Sequence, residues 1–251
     1  MDQLERADFS QSRDSTGIHR LDEVIGGGFP RPSTTAIVGA PGSGTTSFCT
    51  QFAVSSLLEG RKVLIVCTDE PVEHFLRYFK SRGPLDVDSY LEEKKLVVVD
   101  MYGKFIEHIG IRDYGDVNLV REFPLNKFIL ETRRAVQTEE GEEPSGLTTI
   151  LDSVTALSPF LGVRDIYRGV REVQDLIRAH NNIVLMTVHE GVLEGNFVQA
   201  VRQQADNVIR MKMRWVRSNL KREMIIEKVG FTEIKQPVLG FVITERGIEI
   251  I

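Results

Sequence analysis

The segment Gly39-Ala40-Pro41-Gly42-Ser43-Gly44-Thr45-Thr46 sets glycines and hydroxyl residues at the spacing of a phosphate cradle. In the pattern G-x-x-x-x-G-K-[ST], loop amides and a helix N-terminus hold phosphates, the lysine reaches the β- and γ-phosphates, and the final hydroxyl meets Mg²⁺. Gly39, Gly44 and Thr46 fit, but Thr45 stands where the pattern has lysine. With Pro41, Gly42, Ser43 and Ser47 they form the candidate cofactor-binding set, for ATP and Mg²⁺.

Three strand endings carry further chemistry. Val63-Leu64-Ile65-Val66-Cys67 is a continuous apolar run that closes on Thr68-Asp69-Glu70-Pro71. Carboxylates at the C-terminal end of a buried parallel strand lie where such sheets bind ligands. Equally, Glu70-Pro71-Val72-Glu73 opens the next helix, where the dipole favours acids. Thr148-Thr149-Ile150-Leu151-Asp152-Ser153 has the form of the segment whose aspartate holds Mg²⁺ in nucleotide-binding proteins, which pairs Asp152 with Thr46 as metal ligands. The run from Asn182 to Val188 ends in His189-Glu190, residues suited either to sensing a γ-phosphate or simply to capping and solvation.

The elements that must position these groups follow from patterning. The expected order is strand Thr34–Val38, helix Thr45–Leu58, strand Val63–Cys67, helix Val72 to about Ser81, an acidic connector, and strand Lys95–Asp100. A long loop over 101–122, a helix over 124–137 and an acidic turn over 138–144 come next. Strand 148–152, helix Arg164–His180 and strand 182–190 complete this series, and the texture then changes to antiparallel strands within 208–213, 222–228, 240–244 and 248–250. The pattern predicts an α/β fold, a mostly parallel central sheet with helices on both faces and antiparallel C-terminal edge strands. Residues 1–14 read as an N-terminal extension and 15–251 as one domain. Ser15 or Thr16 caps a short helix, and Gly26-Gly27-Gly28 marks a tight turn.

Composition excludes several classes. A net charge of −5 gives no global pull toward nucleic acid or an anionic membrane. The locally basic stretch from Arg210 to Arg222, with Trp215 inside it, reads as a solvated hairpin or subunit face before a nucleic-acid surface. Cys49 and Cys67 have no metal or disulfide spacing and read as reduced core residues. His19 and His74 read as surface residues. No run approaches the ~20 apolar residues of a membrane helix, and the start lacks a signal peptide, so a cytoplasmic protein is expected.

Taken in order, these segments resemble the KaiC and RadA branch of RecA-like ATPases, above all single-domain KaiC-like proteins. The likeness is carried by Ser15-Thr16-Gly17-Ile18, Gly26-Gly27-Gly28-Phe29-Pro30, the glycine loop, Asp69-Glu70-Pro71, Leu151-Asp152-Ser153, Val188-His189-Glu190, Ala205-Asp206-Asn207 and Thr244-Glu245-Arg246-Gly247. The resemblance implies nucleotide bound between subunits of a homo-oligomer, a hexameric ring or related assembly. It makes Asp69 and Glu70 the acid pair, with Glu70 polarising the attacking water. It also implies a Lys-x-Arg pair acting on the neighbouring subunit, of which Lys228-Val229-Gly230 keeps the lysine and lacks the arginine. Two missing cations imply ATP binding with weak or absent hydrolysis, and action by ATP-dependent oligomerisation or on a protein partner. One alternative is an active ATPase in which Lys228 or Lys62 replaces the missing cation. Another is a DNA-recombination mediator using Arg210 to Arg222, which the acidic overall charge opposes.

Overall fold

The centre of the sheet is a seven-residue strand, Ser33–Gly39, every residue of which is buried. The protein was analysed as a computed structural model, which describes residues 12–81, 85–102, 145–158, 162–191 and 195–251. The described strands are β1 (Arg13–Asp14), β2 (Phe29–Pro30), β3 (Ser33–Gly39), β4 (Val63–Cys67), β5 (Leu96–Asp100) and β6 (Thr148–Asp152). They continue with β7 (Ile183–His189), β8 (Asn207–Val216), β9 (Asn219–Lys228), β10 (Val238–Thr244) and β11 (Gly247–Ile250). The described α-helices are α1 (His19–Val24), α2 (Thr45–Leu58), α3 (Val72–Lys80), α4 (Val87–Glu92), α5 (Val163–Ala179) and α6 (Gly195–Gln204).

Nine strands form the main sheet in the order β11-β10-β9-β8-β3-β7-β6-β4-β5. From β5 to β8 the pairing is parallel, and from β8 to β11 it is antiparallel. The nearly unbroken burial of β3, β4 and β7 is explained by cover on both faces. On one face, Phe48 and Phe52 of α2 and Phe75 and Phe79 of α3 pack with Ile37, Ile65, Met211, Met224 and Phe241. On the other, Val170 and Ile177 of α5 and Val198 and Val201 of α6 pack with Ala36, Val38, Leu64 and Val66. Both cysteines are free and buried, as expected of core residues. Burial first, then the nearby Asp152 charge, pushes both thiols up, so they stay protonated at neutral pH.

Some expectations need correction. Arg13 and Asp14 are part of the folded unit rather than of an extension: β1 pairs antiparallel with β2, and Asp14 forms an ion pair with Arg31 in which both side chains are 1% exposed. Neither Ser15 nor Thr16 caps α1. Ile18 is the N-cap, and the hydroxyls of Ser15 and Thr16 donate instead to the Asp22 carboxylate at 2.7 Å. The acidic connector after α3 contains α4, whose N-cap Asp86 accepts from the Ser89 amide at 3.2 Å. The expected loop over 101–122, apart from Met101 and Tyr102, the helix over 124–137 and the acidic turn over 138–144 lie outside the described residues.

Candidate nucleotide-binding site

The glycine loop joins β3 to α2 and turns on a bond from the Ser43 amide to the Ala40 carbonyl, 3.0 Å. Gly44, the N-cap of α2, sits at φ 107°, and a Cβ there would lie 2.7 Å from Ile243 Cδ1. A side chain at 44 meets both backbone strain and β10, so glycine is required. This geometry aims the first amides of α2 at the ends of β4, β6 and β7, the carboxyl edge of the parallel strands.

A cleft of about 500 Å³ opens at that edge. It is lined by Pro41, Gly42, Gly44, Thr45, Thr46 and Ser47 from the loop and helix, by Asp69 and Glu70 after β4, by Asp152 and by His189, with His74, Tyr78 and Ile243 completing the wall. Gly39 and Ser43 stand behind the cradle instead. Gly39 ends β3, and Ser43 is fully buried, its Oγ without a hydrogen-bond partner among the described residues. A wider open groove of about 830 Å³ runs between α5 and α6, past Tyr167, Arg168 and Gln203, and is lined by helix residues alone, with no glycine loop or strand end.

Asp152 is the buried charge of the cleft, 5% exposed. Burial raises its pKa, while hydrogen bonds from the Thr187 and Thr46 hydroxyls act in the opposite direction. Thr46 and Asp152 are thus adjacent oxygen donors, the type a hard divalent ion such as Mg²⁺ takes, and they fit that ion. Asp69 is oriented by a hydrogen bond from Ser153 Oγ, and its Oδ2 lies 3.3 Å from His189 Nδ1. His189 is itself fixed by its amide donating to Thr155 Oγ1 at 2.7 Å. Burial, then the charge of Asp152, holds the Glu70 carboxyl above the ordinary range. That perturbation, in a cleft, is the kind found in acid–base chemistry.

Other candidates do not reach the cleft. Glu190 points into an ion pair with Arg210, 2.9 Å. Lys228 is paired with Val208 near the opposite end of the sheet, its Nζ donating to the Gln203 carbonyl at 3.4 Å, and burial lowers its pKa. Lys62 precedes β4 at the amino edge of the sheet, away from the cleft. Neither lysine supplies the missing cation within one chain. Two arginines of the basic hairpin are held in ion pairs, Arg210 by Glu190 and Glu227 and Arg214 by Glu223.

Three residues of the cleft wall were missed from sequence: His74, Tyr78 and Ile243. His74 is exposed as expected but stands at the cleft rim with Tyr78, whose hydroxyl bonds to Ser47 Oγ. Their i, i+4 spacing on α3, directly after Glu70, was a readable signal. Arg222, not distinguishable in sequence from its basic neighbours, does not line the cleft. It pairs across strands with Met213 and Phe241, and cross-strand neighbours share a face. That face leans on the loop: Met213 Cε lies 3.8 Å from where a Cβ on Gly42 would sit. Arg222 Nε is buried and has no partner among the described residues.

A mostly parallel sheet, a glycine loop from strand to helix, and acids at the neighbouring strand ends define a RecA-type α/β fold. Residues 15–251 match the family described as ATPase: KaiC, and the chain belongs to that family. It is 27% identical to a UPF0273 protein of Thermotoga maritima over 247 residues, 95% of each chain. It is 23% identical to the circadian clock oscillator protein KaiC of Parathermosynechococcus lividus over 243 residues, which cover 92% of this chain and 42% of that protein. The crystal structure of a KaiC-like protein from Pyrococcus horikoshii superposes with a TM-score of 0.74 at 22% identity, covering 96% of this chain and 99% of that one. No helix among the described residues is long and apolar enough to cross a membrane.

Proposed function

We propose that this protein binds ATP with Mg²⁺ in the cleft at the glycine loop, hydrolyses it slowly or not at all, and acts through ATP-dependent assembly or partner regulation. The observation that carries this reading is the composition of the cleft wall. It keeps the loop, Thr46, Asp152 and the acid pair, yet no lysine or arginine is among its lining residues. Loop amides and the α2 N-terminus hold the phosphates, and Thr46 with Asp152 holds Mg²⁺, which neutralises phosphate charge when bound. Glu70 takes the water proton in whatever hydrolysis occurs, its raised affinity for protons suiting a base. His189 faces the terminal phosphate.

A charged hydrogen bond contributes about 1.5–3 kcal/mol, so loss of the lysine weakens binding without abolishing it. Rate suffers more, because a missing trans arginine alone costs on the order of 10³-fold in related phosphoryl transfer. Lys228, remote from its own cleft, acts only on a second copy, consistent with a homo-oligomer, a hexameric ring in the form the family resemblance implies. Calorimetric titration with ATP and Mg²⁺ tests the reading: heat fitting one site per chain is expected, and no binding at millimolar ATP overturns it. An active ATPase would need its cation from a neighbouring copy, and would show turnover that Glu70→Gln removes while binding survives.

A further inference from the structure

Inside the cleft, three side chains of metal-ligating type converge from three different strand ends. One donor atom from each of Asp69, Asp152 and His189 lies within 4.8 Å of the other two. Asp69 Oδ2 lies 3.3 Å from His189 Nδ1. Ligands about 2.0–2.2 Å from one ion at tetrahedral or right angles stand roughly 2.8–3.6 Å apart, a range that holds the Asp69–His189 separation, with Asp152 within reach of both. Partners outside the cluster aim the two carboxylates: Ser153 Oγ donates to Asp69 and Thr187 Oγ1 donates to Asp152. Such outer partners are typical of metal ligands.

Charge points the same way. The cleft holds Asp69, Asp152 and Glu70, with no lysine or arginine among its lining residues. Where the phosphate-loop pattern brings its own cation, this chain has Thr45, so the acids lack a fixed counter-charge. The donor set is two carboxylates and one imidazole. Mg²⁺ demands oxygen ligands and keeps its waters, whereas an imidazole nitrogen favours first-row transition ions, increasingly from Mn²⁺ toward Zn²⁺.

We propose that Asp69, Asp152 and His189 form a site for a divalent first-row transition ion, selected over Mg²⁺ by the His189 nitrogen. It deepens the reading above, resting on the same cleft, with the ion standing in for the positive charge that the loop lacks. Asp69 and His189 line the open cleft, so positions on the ion remain for water or a phosphate oxygen.

The experiment titrates Mn²⁺ into the full chain without nucleotide, following free Mn²⁺ by electron paramagnetic resonance, with Mg²⁺ and Zn²⁺ as competitors. One Mn²⁺ per chain is expected, displaced by Zn²⁺ and resisted only weakly by Mg²⁺. His189→Ala should weaken Mn²⁺ at least tenfold and change Mg²⁺ affinity less than twofold; Asp69→Asn, at an exposed position, should repeat the Mn²⁺ loss without touching the core. Absence of Mn²⁺ binding below millimolar, or unchanged Mn²⁺ affinity in both variants, overturns the proposal. In that case the His189–Asp69 approach is a simple polar contact. Because the measurement contains no nucleotide, ATP binding in Mg²⁺ stands or fails separately.

Discussion

Restoring the lysine at position 45 is the most direct challenge to the proposed function. Thr45 is the first residue of α2 and is 4% exposed, with the cleft of about 500 Å³ on its open side. A lysine stem at 45 therefore has one direction to run, into the space that phosphates would occupy. Without nucleotide, its charge sits at a helix N-terminus and costs about 0.3–1 kcal/mol. That lowers Tm by roughly 1–4 °C in a chain of this size. With nucleotide, a charged hydrogen bond adds about 1.5–3 kcal/mol, or roughly 10- to 150-fold in affinity. The two effects have opposite signs. Calorimetry with ATP and Mg²⁺, beside thermal melts of Thr45→Lys and the parent, reads both. A folded Thr45→Lys protein that binds ATP no more tightly than the parent would refute the assignment of the loop as a phosphate cradle.

Three further predictions rest on other groups. Burial and then Asp152 raise the Glu70 pKa, so its folded state prefers the proton and stability falls as pH rises through the raised pKa; Glu70→Gln should melt higher than the parent at pH 7, with the difference gone near pH 4. Any phosphate release should increase with pH over that range and lose this dependence in Glu70→Gln. Asp14→Ala strands the buried Arg31 charge and should cost about 3–5 kcal/mol by denaturant unfolding, while the apolar double replacement Asp14→Leu with Arg31→Met recovers most of it; a loss under 1 kcal/mol for the single variant argues against the pair as a staple. Arg222→Ala removes a guanidinium whose buried Nε has no partner among the described residues; because no arginine lines the cleft, ATP affinity should change less than about twofold, and a fall of about tenfold, the scale of a charged contact, would refute a cleft without a fixed cation.

The parallel sheet was readable because β4 is wholly apolar and β7 is apolar from Ile183 to Met186, runs without alternation that cover on both faces explains. The edge strands were readable as antiparallel from their turns, though β8 and β9 run longer than hydropathy suggests. Cross-strand pairs such as Arg214 with Glu223 sustain the polar hairpin beyond its apolar stretch. Helix starts were less readable. Ser15 and Thr16 look like caps in sequence, yet an aspartate six residues beyond Thr16 takes their hydroxyls. The two outcomes use the hydroxyl in opposite senses, accepting from a helix amide as a cap and donating to the Asp22 carboxylate here, and residue type alone does not choose between them.

The sequence by itself determined the chemistry available: a loop whose glycines must turn a strand into a helix, an aspartate at the end of β6, an acid pair after β4, and Thr45 where a lysine would reach the phosphates. These are local properties, set by backbone freedom and residue type at fixed spacing. Only the tertiary structure decided which groups meet. Strand order brings the ends of β4, β6 and β7 beside one loop, which joins Asp69, Asp152 and His189 although they are spread over more than a hundred residues. The same order carries Lys62 and Lys228 to the far side of the sheet, and sets Arg222 on the loop side. Side-chain alternation and strand register settle those placements, and neither is a property of any single stretch of chain.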